Sequence, residues 1–238
     1  MLYLSLILII VILIYKLKNE IIKERSLYKV THEIKNSITV INGYLSMFDY
    51  NDINKLKKYV NVLKRETKKE LVLLNDFLSS NKIILNKEIV DINLLLEDVM
   101  ESFKPLIEKK NIKLISHIPK DELMLFIDYD KMCEVISNLI KNSIESIDKN
   151  GIIEIYSIKI KDNVNIIIKD NGIGMTKKEI KNIFIPFYTT KSKGTGLGTY
   201  ISKIIIKKHR GKIKYESVKN KGTKTIVTLP INKKIMYN

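Results

Sequence analysis

The chain has 238 residues, of which 45% are apolar and 29% charged; this excludes a disordered chain and suffices for one large or two modest domains. The formal net charge of +16 comes almost entirely from lysine, whereas sites that read nucleic acids favour the bidentate fork of arginine, so we expect no nucleic-acid partner. The single cysteine, Cys133, excludes an internal disulfide and a multi-cysteine metal site.

The N-terminus is an apolar run, MLYLSLILIIVILIY, that ends at Lys16 and Lys18. A helix of this length reaches about 22 Å, which is short of the roughly 30 Å hydrocarbon core of a bilayer. A secretory signal is disfavoured because the run lacks a positive leading region and a small-residue cleavage site. Lysines directly after the run favour a cytoplasmic location for the rest of the chain. We predict a single-pass anchor in the cell membrane at residues 1–16; a buried or partner-bound helix is the alternative.

The next segment, residues 20–80, carries two apolar stripes with the three- and four-residue steps of amphipathic helices. Polar turn residues at 49–54 separate the stripes, which predicts an antiparallel helical hairpin. One hairpin cannot bury both stripes, so we predict a homodimer in which two hairpins form a four-helix bundle. The stripes are Leu27, Val30, Ile34, Ile38, Ile41, Leu45 and Phe48, then Leu56, Val60, Leu63, Leu71, Leu74 and Leu78.

A linker at residues 79–82 precedes a third region, 83–232, in which short β-rich runs alternate with periodic helices. Helices mixed with largely antiparallel strands indicate an α+β fold with a C-terminal α/β sandwich of about 150 residues. The expected strands are 83–90, 112–118, 152–160, 164–169, 212–217 and 223–229, and the expected helices run from a cap at Asp91 or Asn93 to Lys109, over 130–147, and near 195–208.

The helix predicted over 130–147 carries Asn138 and Asn142, which lie four residues apart and therefore on one face. An amide oxygen is a hard, neutral ligand that suits Mg²⁺. Caps or core hydrogen bonds are the alternative use of such a pair.

Two glycine clusters follow within a short span. In the first, Asp170 ends a β run and is followed by Gly172 and Gly174; the carboxylate can accept a hydrogen bond from an adenine amino group while the glycines allow close approach. An ordinary Asn-Gly turn is the alternative. The second, GTGLG at 194–198, opens a helix whose amides would point at phosphate oxygens, with Lys191 nearby to offset charge. It matches neither the G-x-x-x-x-G-K-[ST] loop nor a dinucleotide fingerprint.

The order of NLIKNSIES, DNGIGM, IFIPFYTTK, GTGLGT and KGTKTIVTLP resembles the catalytic domain of sensor histidine kinases, in the ATPase superfamily of gyrase and heat-shock chaperones. THEIKNSI resembles the phosphoacceptor box of that family, and the resemblance covers roughly residues 27–230. It implies that 20–80 is a dimerisation and histidine-phosphotransfer hairpin and 83–232 a catalytic ATP-binding domain. ATP and Mg²⁺ are the implied cofactors, and the receiver domain of a response regulator the implied partner.

The resemblance also implies a role for each residue of the motifs. Asn142 would bind Mg²⁺, Asn138 would support the phosphates, and Asp170 would read adenine. The segment 184–191 would be a lid over the nucleotide. The remaining positions would line the site: Gly172 and Gly174 beside the base, Thr223 against the adenine pocket, and Lys191, Gly194, Thr195, Gly196, Leu197 and Gly198 around the triphosphate.

His32 is the implied phosphate acceptor, because a neutral imidazole can attack a phosphoryl group in line. Glu33 would fix the tautomer of the ring and accept its proton. Asn36, one turn later, would position water to dephosphorylate the partner, so phosphatase activity is a further hypothesis. We expect autophosphorylation of His32 followed by transfer to an aspartate of the regulator. A phosphorelay scaffold with a degenerate kinase domain, or a serine kinase or ATPase of the same superfamily, remains the alternative.

The chain departs from the family pattern at several positions. Ser37 replaces a proline, Glu145 a basic phosphate contact, and Thr199 a more usual leucine. Asn138 stands where gyrase-like ATPases carry the glutamate that activates water, which favours transfer to a side chain over hydrolysis.

Overall fold

The computed structural model describes residues 28, 31–32, 34–49, 52–80, 83–191 and 194–232. Two compact units are distinguished. The first comprises the described residues up to position 80 together with 185–187, 191 and 194–195, and the second comprises the remaining described residues from position 83 onward.

Among its described residues the first unit contains two helices. The helix α1 covers 34–46 and is preceded by helical residues at 28 and 31–32, and α2 covers Ile53–Ser80. Asp52 begins α2, because its carboxylate accepts a hydrogen bond from the backbone N–H of Lys55 at 2.9 Å, as an N-cap does. The ring of Tyr59 in α2 lies edge-on to Tyr44, with centroids 5.2 Å apart. Aromatic contact thus joins the end of α1 to the start of α2.

The second unit has seven strands and four helices among its described residues. Its elements are β1 (Glu88–Asp91), α3 (Ile92–Lys109), β2 (Lys113–His117), β3 (Met124–Ile127), α4 (Tyr129–Ser146), β4 (Ile152–Ile160), β5 (Asn163–Asp170), α5 (Lys177–Asn182), α6 (Gly198–Lys208), β6 (Lys212–Val218) and β7 (Gly222–Pro230). Five strands form one sheet in the order β2-β4-β5-β7-β6, in which only β2 and β4 are parallel, and β1 pairs antiparallel with β3.

The core lies between this sheet and the helices. Every second residue of β5 and of the first six residues of β4 is buried, as in Ile153, Ile155 and Ile166, because successive side chains of a strand point to opposite faces. The helix α4 contacts α3, α6 and β5 and places Ile136 and Ile140 in this core. The α/β sandwich predicted for the C-terminal region is therefore present.

The structure differs from the sequence predictions at four places. The first strand begins at Glu88 and not at residue 83, since β1 extends only as far as it pairs with β3. The strand β3, which has four residues, was not predicted. The short helix α5 was also missed, although Thr176 and Glu179 form a capping box, which is visible in the sequence as T-x-x-E. The last helix starts at Gly198 and not near Thr195, because Gly196 has a positive φ of 68° that a helix cannot accommodate.

The anchor predicted for residues 1–16 lies outside the described residues and stays a prediction. Within the described ranges no helix is both long and apolar enough to cross a membrane.

A buried histidine ties α6 to α4. The Nε2 atom of His209, just after α6, accepts a hydrogen bond from the backbone N–H of Asp128 at 2.9 Å, and its Nδ1 lies 2.9 Å from the carbonyl of Ile205. Because one nitrogen accepts and the other faces a carbonyl, the ring is neutral with its proton on Nδ1. The carboxylate of Asp128 in turn caps α4 by accepting from Lys131 N at 2.9 Å. Burial lowers the pKa of His209.

This arrangement predicts acid sensitivity. The pKa of His209 is depressed in the folded protein, so its contribution is complete above the unfolded value near 6.5 and is lost as the pH falls below it. We expect a His209→Gln variant to be about 1–3 kcal/mol less stable at pH 7.5, where the buried hydrogen bonds are lost, and to show a shallower decline between pH 7 and 5. Urea unfolding measures both. His117→Gln, the same change at an exposed histidine, is the control. If the unfolding free energies of His209→Gln and wild type depended on pH in the same way, His209 would not be the source of the acid sensitivity.

Candidate functional site

A polar row on α4 faces the start of α6. The amide nitrogen of Asn138 donates to the Ser202 hydroxyl at 3.0 Å, and that of Asn142 lies 3.5 Å from the Asn138 carbonyl oxygen. A Cβ on Gly198 would lie only 2.2 Å from the same oxygen, so the first turn of α6 can approach Asn138 only because this residue is glycine. The two predicted amides are thus brought together at the N-terminus of α6. The hydrogen bond from Asn138 to Ser202 is also of the kind named above as the alternative use of this pair, a hydrogen bond in the core.

The N-terminus of α6 has the character of an anion site. Leu197 occupies the N-cap position and supplies no side-chain cap, so the first-turn amides are not closed off by that residue. Amides at a helix start carry partial positive charge and favour phosphate or carboxylate oxygens. Together with the amides on α4, this end of the helix combines donors for an anion with oxygens for a hard cation.

The carboxylate of Asp170 is the centre of a second cluster, at the end of β5. Asp170 is only 6% exposed, and its Oδ1 accepts from Gly172 N at 2.9 Å, Thr223 N at 3.2 Å and the Ser146 hydroxyl at 3.1 Å. Burial raises the pKa of this carboxyl, and the surrounding hydrogen-bond donors act in the opposite direction. An ionisable group kept in a desolvating position is typical of a functional site.

Close backbone packing surrounds this carboxylate. A Cβ on Gly172 would lie 2.0 Å from the Ser146 hydroxyl oxygen and 2.6 Å from its carbonyl, at the end of α4. Gly174 has a φ of 58°, and its Cβ would meet the carbonyl of Val218 at 2.1 Å. Both glycines of the first cluster are therefore required by the fold that presents Asp170.

Sequence reasoning missed two members of this cluster. Ser146 follows Asn142 by four residues and so extends the polar face of α4, a spacing that could have identified it. Gly222 has a φ of 91°, and its Cβ would lie 1.9 Å from the Asp170 carbonyl oxygen. The sequence before Thr223 gives no signal of that contact, because the partner lies about 50 residues away.

The first unit holds the other predicted residues. His32 and Asn36 are exposed on the first helical segment, where the Asn36 amide nitrogen lies 3.2 Å from Nδ1 of His32. Glu33 falls outside the described residues. Lys191, Gly194 and Thr195 also belong to this unit, where Gly194 N donates to the carbonyl of Lys191 at 3.3 Å.

Residues 127–233 match the family model of the histidine kinase-, DNA gyrase B- and HSP90-like ATPases. The sensor protein kinase WalK of Staphylococcus aureus is 32% identical over 217 residues, which cover 84% of this chain and 52% of WalK. WalK of strain JH9 shares the same identity, but only 35% of its length is covered. The chain thus spans about half of the length of the first of these curated relatives and about a third of the length of the second.

Solved structures show the same relationship. The catalytic domain of the histidine kinase ThkA is 32% identical, with a TM-score of 0.58 over 61% of this chain and 96% of that domain. ThkA in complex with the response regulator TrrA is 29% identical, with a TM-score of 0.71 over 86% of this chain and 60% of the ThkA chain. By sequence identity and fold, the chain belongs to the sensor histidine kinases, with an ATP-binding domain of the histidine kinase, gyrase and HSP90-like type.

Proposed function

We propose that this protein binds ATP with Mg²⁺, transfers the terminal phosphoryl group to His32, and passes it to an aspartate in the receiver domain of a response regulator. The observation that carries the proposal is the buried Asp170 carboxylate, set beside glycines in the same unit as the Asn138–Asn142 row and the α6 N-terminus. The similarity to ThkA, which was solved with a response regulator, supports the choice of partner.

The adenine end of the site would be formed around Asp170. Its carboxylate accepts hydrogen bonds, as recognition of an adenine amino group requires, and Thr223 is held to it by a backbone hydrogen bond. Gly172 packs closely on Ser146, which holds this loop against the end of α4 and fixes the position of Asp170. Burial strengthens such a hydrogen bond, because competing water is excluded.

The phosphate end would be formed by α4 and α6. The side-chain oxygens of Asn142 and Asn138 are of the type that Mg²⁺ prefers, and the amides from Gly196 to Gly198 suit the anionic phosphates. Lys191 and Gly194 would add to this end. Bound Mg²⁺ would offset the charge that develops on the transferring group.

The acceptor would be the exposed imidazole of His32. A ring nitrogen forms a bond to the terminal phosphorus, the bond from that phosphorus to the bridging oxygen breaks, ADP leaves, and the other ring nitrogen gives its proton to Glu33. Asn36 lies within reach of Nδ1, and a half-turn of its amide exchanges the donor for an acceptor, so this residue can stabilise either neutral tautomer. An amide at position 138 cannot act as a base, which supports transfer over hydrolysis.

Incubation of the full chain with γ-labelled ATP and Mg²⁺ tests this proposal. We expect acid-labile label on the protein, as phosphohistidine gives, and its loss to candidate receiver domains when these are added. Acid-stable label would instead favour a serine kinase, and no label despite ATP binding would favour a scaffold.

In the same assay, Asn36→Ala should slow dephosphorylation of the receiver domain several-fold; an unchanged rate would remove the phosphatase hypothesis.

We further propose that the protein functions as a homodimer through its helices. The apolar stripe predicted from the sequence leaves Ile38 52% exposed, Leu45 47% exposed and Leu71 55% exposed in the single chain. A second copy would remove this surface from water, which is worth about 25 cal/mol per Å² of apolar area. Sedimentation equilibrium should give a dimer for wild type and a monomer for the Ile38→Glu, Leu45→Glu double variant. Ile160→Glu, on an exposed strand position, is the control, and a monomeric wild type would refute the proposal.

A further inference from the structure

The first turn of α6 holds the end of α5 through a side chain. The hydroxyl of Thr199, the second residue of α6, donates to the carbonyl of Ile183 at 2.6 Å. Ile183 is the C-cap of α5, where the last carbonyls of a helix have no partner within the helix. A threonine within a helix commonly bonds back to its own preceding turn, whereas this hydroxyl bonds to a different element.

A second contact from α6 continues the first. Lys203, one turn after Thr199, places its ammonium group 4.5 Å from the centre of the Phe184 ring. The same ring packs edge-on against the buried Tyr215 of β6, with centroids 5.6 Å apart. One face of α6 therefore holds two consecutive residues, the Ile183 backbone and the Phe184 ring.

These contacts lie at a particular point of the chain. Phe184 is the first residue of segment 184–191, and Thr199 lies directly after Gly198, where α6 begins beside Asn138. The root of the segment and the anion-binding end of α6 are thus joined by one short hydrogen bond. An ordered root restricts the conformations of the segment that follows, so less conformational entropy is lost when the segment closes on a ligand.

We infer that Thr199, with Lys203, is a positioning residue that couples segment 184–191 to nucleotide bound at the start of α6. Neither side chain has to touch the nucleotide for this effect. Because coupling between two sites is reciprocal, fixing the root favours nucleotide binding, and bound nucleotide favours an ordered segment. The inference rests on the proposed function in so far as the ligand is a nucleotide.

A pair of variants of the full chain tests the role of the hydroxyl. Thr199→Val keeps the shape and removes the hydroxyl, whereas Thr199→Ser keeps it. We expect Thr199→Val to raise the dissociation constant of Mg·ADP about 3- to 10-fold and to speed amide hydrogen exchange in 184–191 when Mg·ADP is bound. Thr199→Ser should show the wild-type value of both quantities. In the kinase assay the KM for ATP should rise with little change in kcat.

A second pair tests the cation. Lys203→Met removes the charge but retains most of the stem, and should weaken Mg·ADP binding about 2- to 5-fold. Lys207→Met, one turn further along the same exposed face, is the matched control and should bind as wild type does.

The outcomes separate this inference from the proposed function. Wild type that binds Mg·ADP, with Thr199→Val binding within twofold of it, overturns the inference and leaves the function intact. If Thr199→Val and Thr199→Ser lose the same affinity for Mg·ADP and the same melting temperature, Thr199 has a merely structural role, which also overturns the inference. Failure of wild type itself to bind Mg·ADP removes the proposed function and the inference together.

Discussion

Replacing Asp170 with asparagine is expected to weaken ATP binding by roughly 10- to 100-fold while leaving the protein at least as stable as wild type. The loss follows because an asparagine nitrogen would present donors where the adenine amino group needs an acceptor, and hydrogen bonds to a charged partner are worth about 1.5–3 kcal/mol. Burial raises the pKa of Asp170, so the ionised carboxylate costs folding free energy, and stability falls as the pH rises through that pKa. Asparagine mimics the neutral form.

Calorimetric titration with Mg·ADP and urea unfolding at pH 7.5 measure the two effects separately. Glu154→Gln, on the opposite face of the sheet, is the control and should leave binding unchanged. A variant whose stability fell in step with its affinity would show that Asp170 is needed mainly for folding. In that case its place in an adenine pocket would lose its support.

Replacing His32 with glutamine is expected to reduce acid-labile label from γ-labelled ATP by roughly 10³-fold or more, to the background of the assay. The side chain removed would be the nucleophile, and no neighbouring group restores its chemistry. Because His32 is exposed on its helix, the variant should keep the unfolding free energy of wild type to within about 0.5 kcal/mol.

Affinity for Mg·ADP should be unaltered in the same variant, which separates loss of the acceptor from loss of the nucleotide site. His117→Gln is the matched control, since it makes the same chemical change at another exposed histidine, one that stacks on Tyr156. Label that persisted in His32→Gln and disappeared in His117→Gln would assign the acceptor elsewhere.

Elements with strong local signals were predictable from the sequence. The helix α3 begins after Asp91, whose side chain accepts from Asn93 N as a cap does, and ends at Lys109 as predicted. The hairpin of β4 and β5 follows from two β-rich runs around a short polar turn, and its strands pair continuously from Ile153–Asp170 to Ile160–Asn163. In these segments local propensity and burial agree, so the pattern determines the element.

The parts that were not predictable depend on contacts between distant residues. The strand β3 has four residues and exists through its pairing with β1, more than 30 positions earlier. The proximity of Gly222 to Asp170 and of Gly198 to Asn138 follows from the tertiary arrangement alone. The sequence predicts Asp170 and Asn138 as candidate site residues, but it does not predict the side chains that position them, such as Ser146 and Ser202.

The helices α4 and α6 run in opposite directions and contact each other at two points. Gly198, the first residue of α6, packs against Asn138 in the middle of α4, and His209, directly after α6, bonds to Asp128, the N-cap of α4. Two contacts at separate points oppose both separation and sliding of the two helices. We therefore expect α4 and α6 to move as one rigid pair. We therefore expect adjustment to a nucleotide to occur in the chain between β5 and α6. Substitutions in that stretch can then change the affinity for nucleotide during evolution while the α4–α6 pair stays unaltered.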